Sequence, residues 1–264
     1  MSAVLAGISW HLRALIPGMY GRYCAVVVCL LALGNVFFLL QGRSAHVVTI
    51  LLLTLAIMWQ MPRKYRLVIV VLPFLLVTAL YLSSAKVQSR INSLTKEVQT
   101  FSFKKGADVD STNSSGIRLH FWHRALQSIA EHPVTGSGAG SWSNEFNRLE
   151  RIGNPAHGDI QPLGNPHQEY LLWGVQLGVP GILLLLAMMT SIYKDTLAMD
   201  THTARATQSA LLALAVACLF NSSLYDAQIG DFFCVVLGLL LALGLHPQAT
   251  LQVTGSTNKN STAS

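Results

Sequence analysis

Two arginines and one histidine in this chain of 264 residues combine types that handle phosphate and protons with positions beside apolar runs or at a helix start. Arg43 lies in a run of a few residues between two apolar stretches. A guanidinium there could fork to phosphate oxygens through paired N–H groups, although a side chain that only anchors two apolar segments would look the same. Arg118 falls in the first turn of a predicted helix, followed by Phe121, Trp122 and Arg124. It would add to the donors a helix start offers an anion, yet a basic residue in a first turn is electrostatically disfavoured and commonly just solvated. His167 stands in Asn165-Pro166-His167-Gln168-Glu169-Tyr170, immediately before an apolar run. An imidazole, whose ordinary pKa is about 6.5, can accept a proton at neutral pH. Pro166 suits a first helical turn, and a histidine with no role beyond that turn, next to a Tyr170 in an interfacial aromatic belt, accounts for the same residues.

Two sharper motifs fail on spacing. The run Gly136-Ser137-Gly138-Ala139-Gly140 has neither the Lys-Ser/Thr that closes a phosphate loop nor the spacing of a dinucleotide fingerprint, and is expected to be a turn. His120 and His123 are three apart on a helix and could pair on zinc with His132 or His157, but no carboxylate or cysteine completes a familiar ligand pattern. Cys24, Cys29, Cys218 and Cys234 all fall in apolar runs, so no disulfide framework or cysteine knuckle is expected.

The elements that must position these groups follow from composition. Hydrophobic residues make up 52% of the chain and charged ones only 11%, with a mean hydropathy of +0.45. Average globular chains carry roughly 25% charged residues, so too few are present to cover a water-facing surface, and a soluble, disordered or coiled-coil chain is excluded. The apolar residues form blocks that approach the length of about 20 a bilayer demands. Six read as spans: about Tyr23 to Leu40, Val47 to Met61, Leu67 to Leu82, Tyr170 to Ser191, Ser209 to Leu224 and Phe232 to Leu245. Helices are expected, because a spanning segment satisfies its own backbone and the runs lack the alternation of a barrel. The residues before Tyr23 read as an interfacial or truncated lead without a clean signal-peptide cleavage site.

The net charge of +6 bears first on topology, not on nucleic acid. Arg13 and Arg22, then Arg63, Lys64 and Arg66, then Lys194 and Arg205 fall on one side, cytoplasmic by the positive-inside rule. Gln41 to His46, Ser83 to Glu169 and Tyr225 to Asp231 are then outside, and Arg43 runs against the trend. The long outer segment holds nine Lys or Arg and seven Asp or Glu before Glu169, so it is a mixed-charge subdomain, not a basic arm. Within it Ser114 or Ser115 can cap a helix from about Ile117 to Glu131, with Leu119, Trp122, Leu126 and Ile129 at helical spacing. His132-Pro133 ends it. The expected divisions are residues 1–82, a lead and three spans; 83–169, the outer subdomain; 170–247, three spans; and 248–264, a polar cytoplasmic tail without order.

The stretch Ser115-Gly116-Ile117-Arg118, Phe121-Trp122, Ala125-Leu126, Glu131-His132-Pro133, the glycine turn, Asn165 to Leu171 and Gln176-Leu177-Gly178-Val179-Pro180-Gly181 resembles, in order and separation, the signature of the O-antigen ligase and polymerase superfamily. The likeness covers roughly Gly42 to Leu245. It implies an all-α polytopic inner-membrane glycosyltransferase of the C-type architecture, with a large helical periplasmic loop. It implies a glycan donor on undecaprenyl diphosphate and, as acceptor, a lipid A core sugar, a second repeat unit or a protein hydroxyl. Membrane lipids are implied partners; nucleic acid, cofactor, metal and nucleotide sugar are not. Members usually have about twice as many spans, so the likeness implies the C-terminal half of a larger chain.

Carried over residue by residue, the resemblance gives Arg43 and Arg118 the diphosphate and its growing negative charge, and His167 the proton of the attacking hydroxyl. Asn165, Gln168 and Glu169 could orient His167 or bind sugar, Trp122 could line the substrate site, and Tyr225, Asp226 and Gln228 could line the same cavity. A transporter component would instead put ionisable groups at the bilayer midplane, whereas these spans are nearly free of charge. An inactive membrane subunit is the third possibility.

Overall fold

The computed structural model describes residues 1–39, 43–65, 71, 114–153 and 164–260. Among them the chain is helical throughout, without a strand. The helices are α1 (Ser2–Leu12), α2 (Met19–Gly34, running into a π-turn, Asn35–Leu39), α3 (Arg43–Gln60), α4 (Ser114–Glu131), α5 (Trp142–Gly153), α6 (Glu169–Thr196), α7 (Thr201–Phe220) and α8 (Ala227–Asn260). Among the described residues four stretches are long and apolar enough to cross a membrane: Met19–Leu39, Glu169–Thr196, Thr201–Phe220 and Ala227–Leu245. The apolar part of α3, Ala45–Gln60, is shorter. The third expected span and residues 83–113 lie outside the described residues, apart from Val71 within that span.

The helix ends depart from the sequence-based boundaries wherever charge and hydrophobicity were the only guide. The lead is helical, as α1. Arg205, expected in a connection, lies inside α7, which starts at Thr201 under an Asp200 cap whose Oδ1 accepts the amides of His202 (2.9 Å) and Thr203 (3.2 Å). At its other end α7 stops at Phe220, inside the run read as a span to Leu224. The helix α8 continues through Pro247 to Asn260, across most of the segment expected to lack order. Extending a formed helix needs no new nucleus.

The chain divides into two compact units, one of residues 1–56, 186–217 and 226–264, the other of 57–185 and 218–225. In the first, α1 lies on α2 through Ala6, Cys29 and Ala32, with Trp10 and Leu33 at the edge. A Cβ on Gly7 of α1 would stand 3.5 Å from Ser209 of α7. Small residues permit such close approach of helices that gain little from hydrophobicity in lipid, and α7 is built the same way, with Ala204, Ala206, Ala210 and Ala213 all buried.

The second unit has an aqueous-type core: Phe121, Ala125 and Ile129 of α4, Trp142 and Phe146 of α5, and Leu172 and Val175 of α6. The buried stripe of α4 thus runs through Phe121 and Ala125, whereas Leu126, one of the apolar residues at helical spacing, is 56% exposed. The small Ala125 leaves room for the rings of α5, and Phe121 meets Trp142 and Phe146 edge-on at 5.9 and 5.2 Å. Burying each such ring contributes about 1.5–3 kcal/mol.

Polar side chains fasten α4 to α5. The buried Glu150 accepts from Arg124 Nε (2.5 Å) and pairs with His120 Nε2 (2.7 Å). Glu145 accepts from Ser128 (3.1 Å) and Arg148 (2.8 Å), and Arg148 also pairs with Glu131. Burial pushes the His120 imidazole below its ordinary value, outweighing the opposite pull of Glu150. The Arg148 hydrogen bond holds the Glu145 carboxyl low. Both groups therefore favour the fold at neutral pH and withdraw that support on acidification: His120 as pH falls below 6.5, Glu145 below 4.5. Thermal melting of the solubilised protein should fall from pH 7 to pH 5, and His120→Asn, which cannot titrate, should flatten that decline.

Candidate functional site

The site is built on a seam between the glycine turn and a break in α6. At Gly178 the backbone leaves the helix (φ 70°, ψ −161°), and Pro180 follows with no N–H. The helix bonds that Val179 and Pro180 would have made to Val175 and Gln176 are missing, and the turn replaces them: Ser137 N–H donates to Val175 O (2.8 Å) and Gly138 N–H to Gln176 O (3.0 Å). In return Val179 N–H donates to Pro133 O (2.7 Å). The glycine run and the Gly178-Val179-Pro180 run, far apart in sequence, are two halves of one backbone joint. After the break, 179–196 rises roughly 27 Å, close to a hydrocarbon core of about 30 Å. Before it, 169–177 gives Leu172 and Val175 to the core of α4 and α5.

His167 sits just ahead of that first segment, half-buried, at φ 54°, the sole positive-φ residue other than glycine among the described residues. This left-handed backbone is uncommon for a side-chain-bearing residue and costs about 1–2 kcal/mol, so surrounding contacts must hold it. Asn165 Oδ1 accepts the His167 amide (2.8 Å), closing an Asx turn. The imidazole stacks on Phe121 (centroids 6.3 Å apart, planes 17° apart), and Nδ1 lies 3.3 Å from Asn221 Oδ1. Trp122 Nε1 donates to the carbonyl of the buried Pro166 (3.2 Å), tying this segment to α4.

Glu169 is 1% exposed and fully engaged. Its Oε1 accepts Trp173 Nε1 (2.9 Å), and its Oε2 accepts the amides of Leu224 (2.9 Å) and Tyr225 (3.3 Å). A buried carboxylate is tolerated when N–H groups surround it, and these donors fix the loop from Asn221 to Tyr225 against the start of α6. Gln168 Oε1 accepts Leu171 N–H (2.5 Å). Of the polar neighbours of His167, Asn165 and Gln168 thus make local bonds, and Glu169 binds Trp173 and the distant amides of Leu224 and Tyr225. Asn221, unnoticed in the sequence, is the one whose side chain reaches the ring.

Arg118 is exposed, one turn before Phe121 and Trp122 on α4. Arg43 is the first residue of α3 and belongs to the other unit. Asp226, also in that unit, caps α8, its Oδ1 accepting Ile229 N–H (3.3 Å). No cluster of three or more potential metal ligands occurs among the described residues, and His120 faces Glu150; His157 lies outside them.

Among the described residues, which are helical and without a strand, four spanning-length helices define a polytopic membrane protein. The chain belongs to the O-antigen ligase family, whose model matches residues 26–186. Membership supports a membrane enzyme of the ligase or polymerase type. The matched stretch holds Arg43, Arg118, His167 and both halves of the seam; Asn221 and Asp226 lie beyond it. No curated protein matches the chain.

Proposed function

We propose that the protein transfers a glycan from undecaprenyl diphosphate to an acceptor hydroxyl, a sugar of lipid A core, on the periplasmic face of the bacterial inner membrane. The observation that carries this reading is His167, held in an unfavourable backbone conformation by Asn165 and stacked on Phe121, one turn along α4 from the exposed Arg118. In the reaction the bond between the anomeric carbon and the diphosphate oxygen breaks while the acceptor oxygen attacks from the opposite face, inverting that centre. The hydroxyl proton passes to His167, and Arg118 meets the negative charge that grows on the departing diphosphate. Arg43 as a second diphosphate cation rests on the family resemblance alone. The reaction needs neither metal nor nucleotide sugar.

Glycan analysis of a deletion strain tests this. Loss of ligation leaves uncapped core and accumulated lipid-linked polymer, the expected result. Single repeats on the core would make the protein a polymerase, and loss of a glycoprotein would make it a protein oligosaccharyltransferase. An unchanged profile would overturn all three. In the purified reaction EDTA should have no effect. Arg118→Lys keeps the charge but not the planar fork, and transfer should fall about tenfold, the worth of one charge-assisted bond of about 1.5 kcal/mol.

A further inference from the structure

We propose that Asn221 is a positioning residue for His167: its side-chain oxygen accepts a hydrogen bond from Nδ1–H, which keeps that proton on Nδ1 and leaves Nε2 with the free lone pair that receives the acceptor's proton. This rests on the reading of His167 as the base and adds the atom that acts and the residue that selects it.

A neutral imidazole carries one N–H, and which nitrogen bears it follows from the bond the other partner makes. Asn221 Oδ1 lies 3.3 Å from Nδ1. An acceptor at that place favours the tautomer protonated on Nδ1, and the stack on Phe121 holds the plane in which the ring lies. The loop that carries Asn221 is fixed in turn. Leu224 and Tyr225 donate their amides to the buried Glu169, two residues from His167, and the Tyr225 ring stands 3.4 Å from where a Cβ on Gly164 would be. Base and positioning residue are therefore held from the same short segment. The charged groups on α4 are Arg118, Arg124, which is bonded to Glu150, and Glu131, which is paired with Arg148; at the start of α6 stands Glu169, whose carboxylate is turned to Trp173 and the loop. None of them supplies an acceptor to Nδ1, so the task falls to Asn221.

The test uses the full-length protein in lipid nanodiscs, with undecaprenyl diphosphate-linked O-antigen as donor and lipid A core as acceptor. For Asn221→Ala, kcat should fall about 10- to 100-fold, the range for partners that orient an imidazole, with KM for the donor little changed. Asn221→Asp keeps the acceptor oxygen and should restore kcat to within a few-fold at alkaline pH, with the rising limb of its pH profile moved up by about one pH unit, because a carboxylate stabilises the imidazolium. In 15N-histidine spectra, the signal that disappears in His167→Asn should report an Nδ1-protonated ring in the wild type and lose that bias in Asn221→Ala. Should Asn221→Ala keep wild-type kcat while His167→Asn is inactive, the base assignment stands and the positioning role is overturned. Should His167→Asn itself remain active, the underlying reading fails. An equal loss in Asn221→Ala and Asn221→Asp with no change of tautomer would mark Asn221 as structural only, and would also overturn the proposal.

Discussion

His167→Ala should lower glycan transfer by about 10²- to 10⁴-fold, the usual contribution of a positioned general base, equivalent to about 3–5 kcal/mol of transition-state stabilisation. Alanine alone would leave an ambiguity, because position 167 holds a positive φ that a generic side chain resists. The variant could lose activity by losing its backbone. Asparagine resolves this. It tolerates the left-handed region far better, approximates the polar size of the ring and cannot accept a proton usefully near neutral pH. His167→Asn should therefore insert and melt like the wild type, yet transfer as poorly as the alanine variant. Quantifying capped lipopolysaccharide at matched membrane levels checks both. Capping at wild-type extent in either variant would remove His167 from the chemistry.

What could be read from the sequence, and what could not, has a physical pattern. Apolar length revealed the spans at α2, α6, α7 and α8, and the break before Pro133 ended α4 at Glu131 as expected. Charge misled at α7. Its first turns, Thr201 to Gln208, are polar, so the apolar run began late and ran on to Leu224, hiding the loop after Phe220. That loop is buried at Ser222 and Ser223. Buried loop amides need acceptors from elsewhere, and Glu169, 55 residues before Leu224, provides one. No local pattern encodes such a pairing, which is why Glu169 read as a residue that could orient His167 or bind sugar, with no sign of the loop it holds, and Asn221 as part of a span. The helix α5 was missed for a different reason. Of its apolar side chains only Trp142, Phe146 and Leu149 are buried, on a helix of 12 residues whose other large apolar residue, Ile152, is exposed. Their spacing of four and three was the available signal. The placement of Arg118 and His167, as distinct from any role, was legible because each stands near a helix start, where sequence does mark position.

The second large effect belongs to the seam. In Gly178→Ala the new Cβ would lie closer to Pro133 O than the 3.0 Å that real Cβ atoms keep, at a φ of 70°. In Gly136→Ala it would fall on the backbone of Gln176 and Leu177, at a φ of 64°. The obstacle in each case is main chain, which cannot swing aside as a side chain can. A backbone region almost confined to glycine costs about 1–3 kcal/mol and overpacking a further 1–3 kcal/mol. Each substitution should thus destabilise the protein by about 2–5 kcal/mol, a large share of the 5–15 kcal/mol typical of a folded domain. Gly140→Ala is the control. Its φ is 73°, but a Cβ there meets nothing within 4 Å, so it should show the backbone cost alone. Opening one side of a joint also leaves the other with nothing to press against, so the double variant should lose less than the sum of the two. Thermal unfolding of the four proteins in detergent checks the order. If Gly178→Ala melted with Gly140→Ala, the three exchanged hydrogen bonds would not be what holds the turn to α6. If it melts far below, the same joint carries the segment that presents His167, and transfer should fall along with stability.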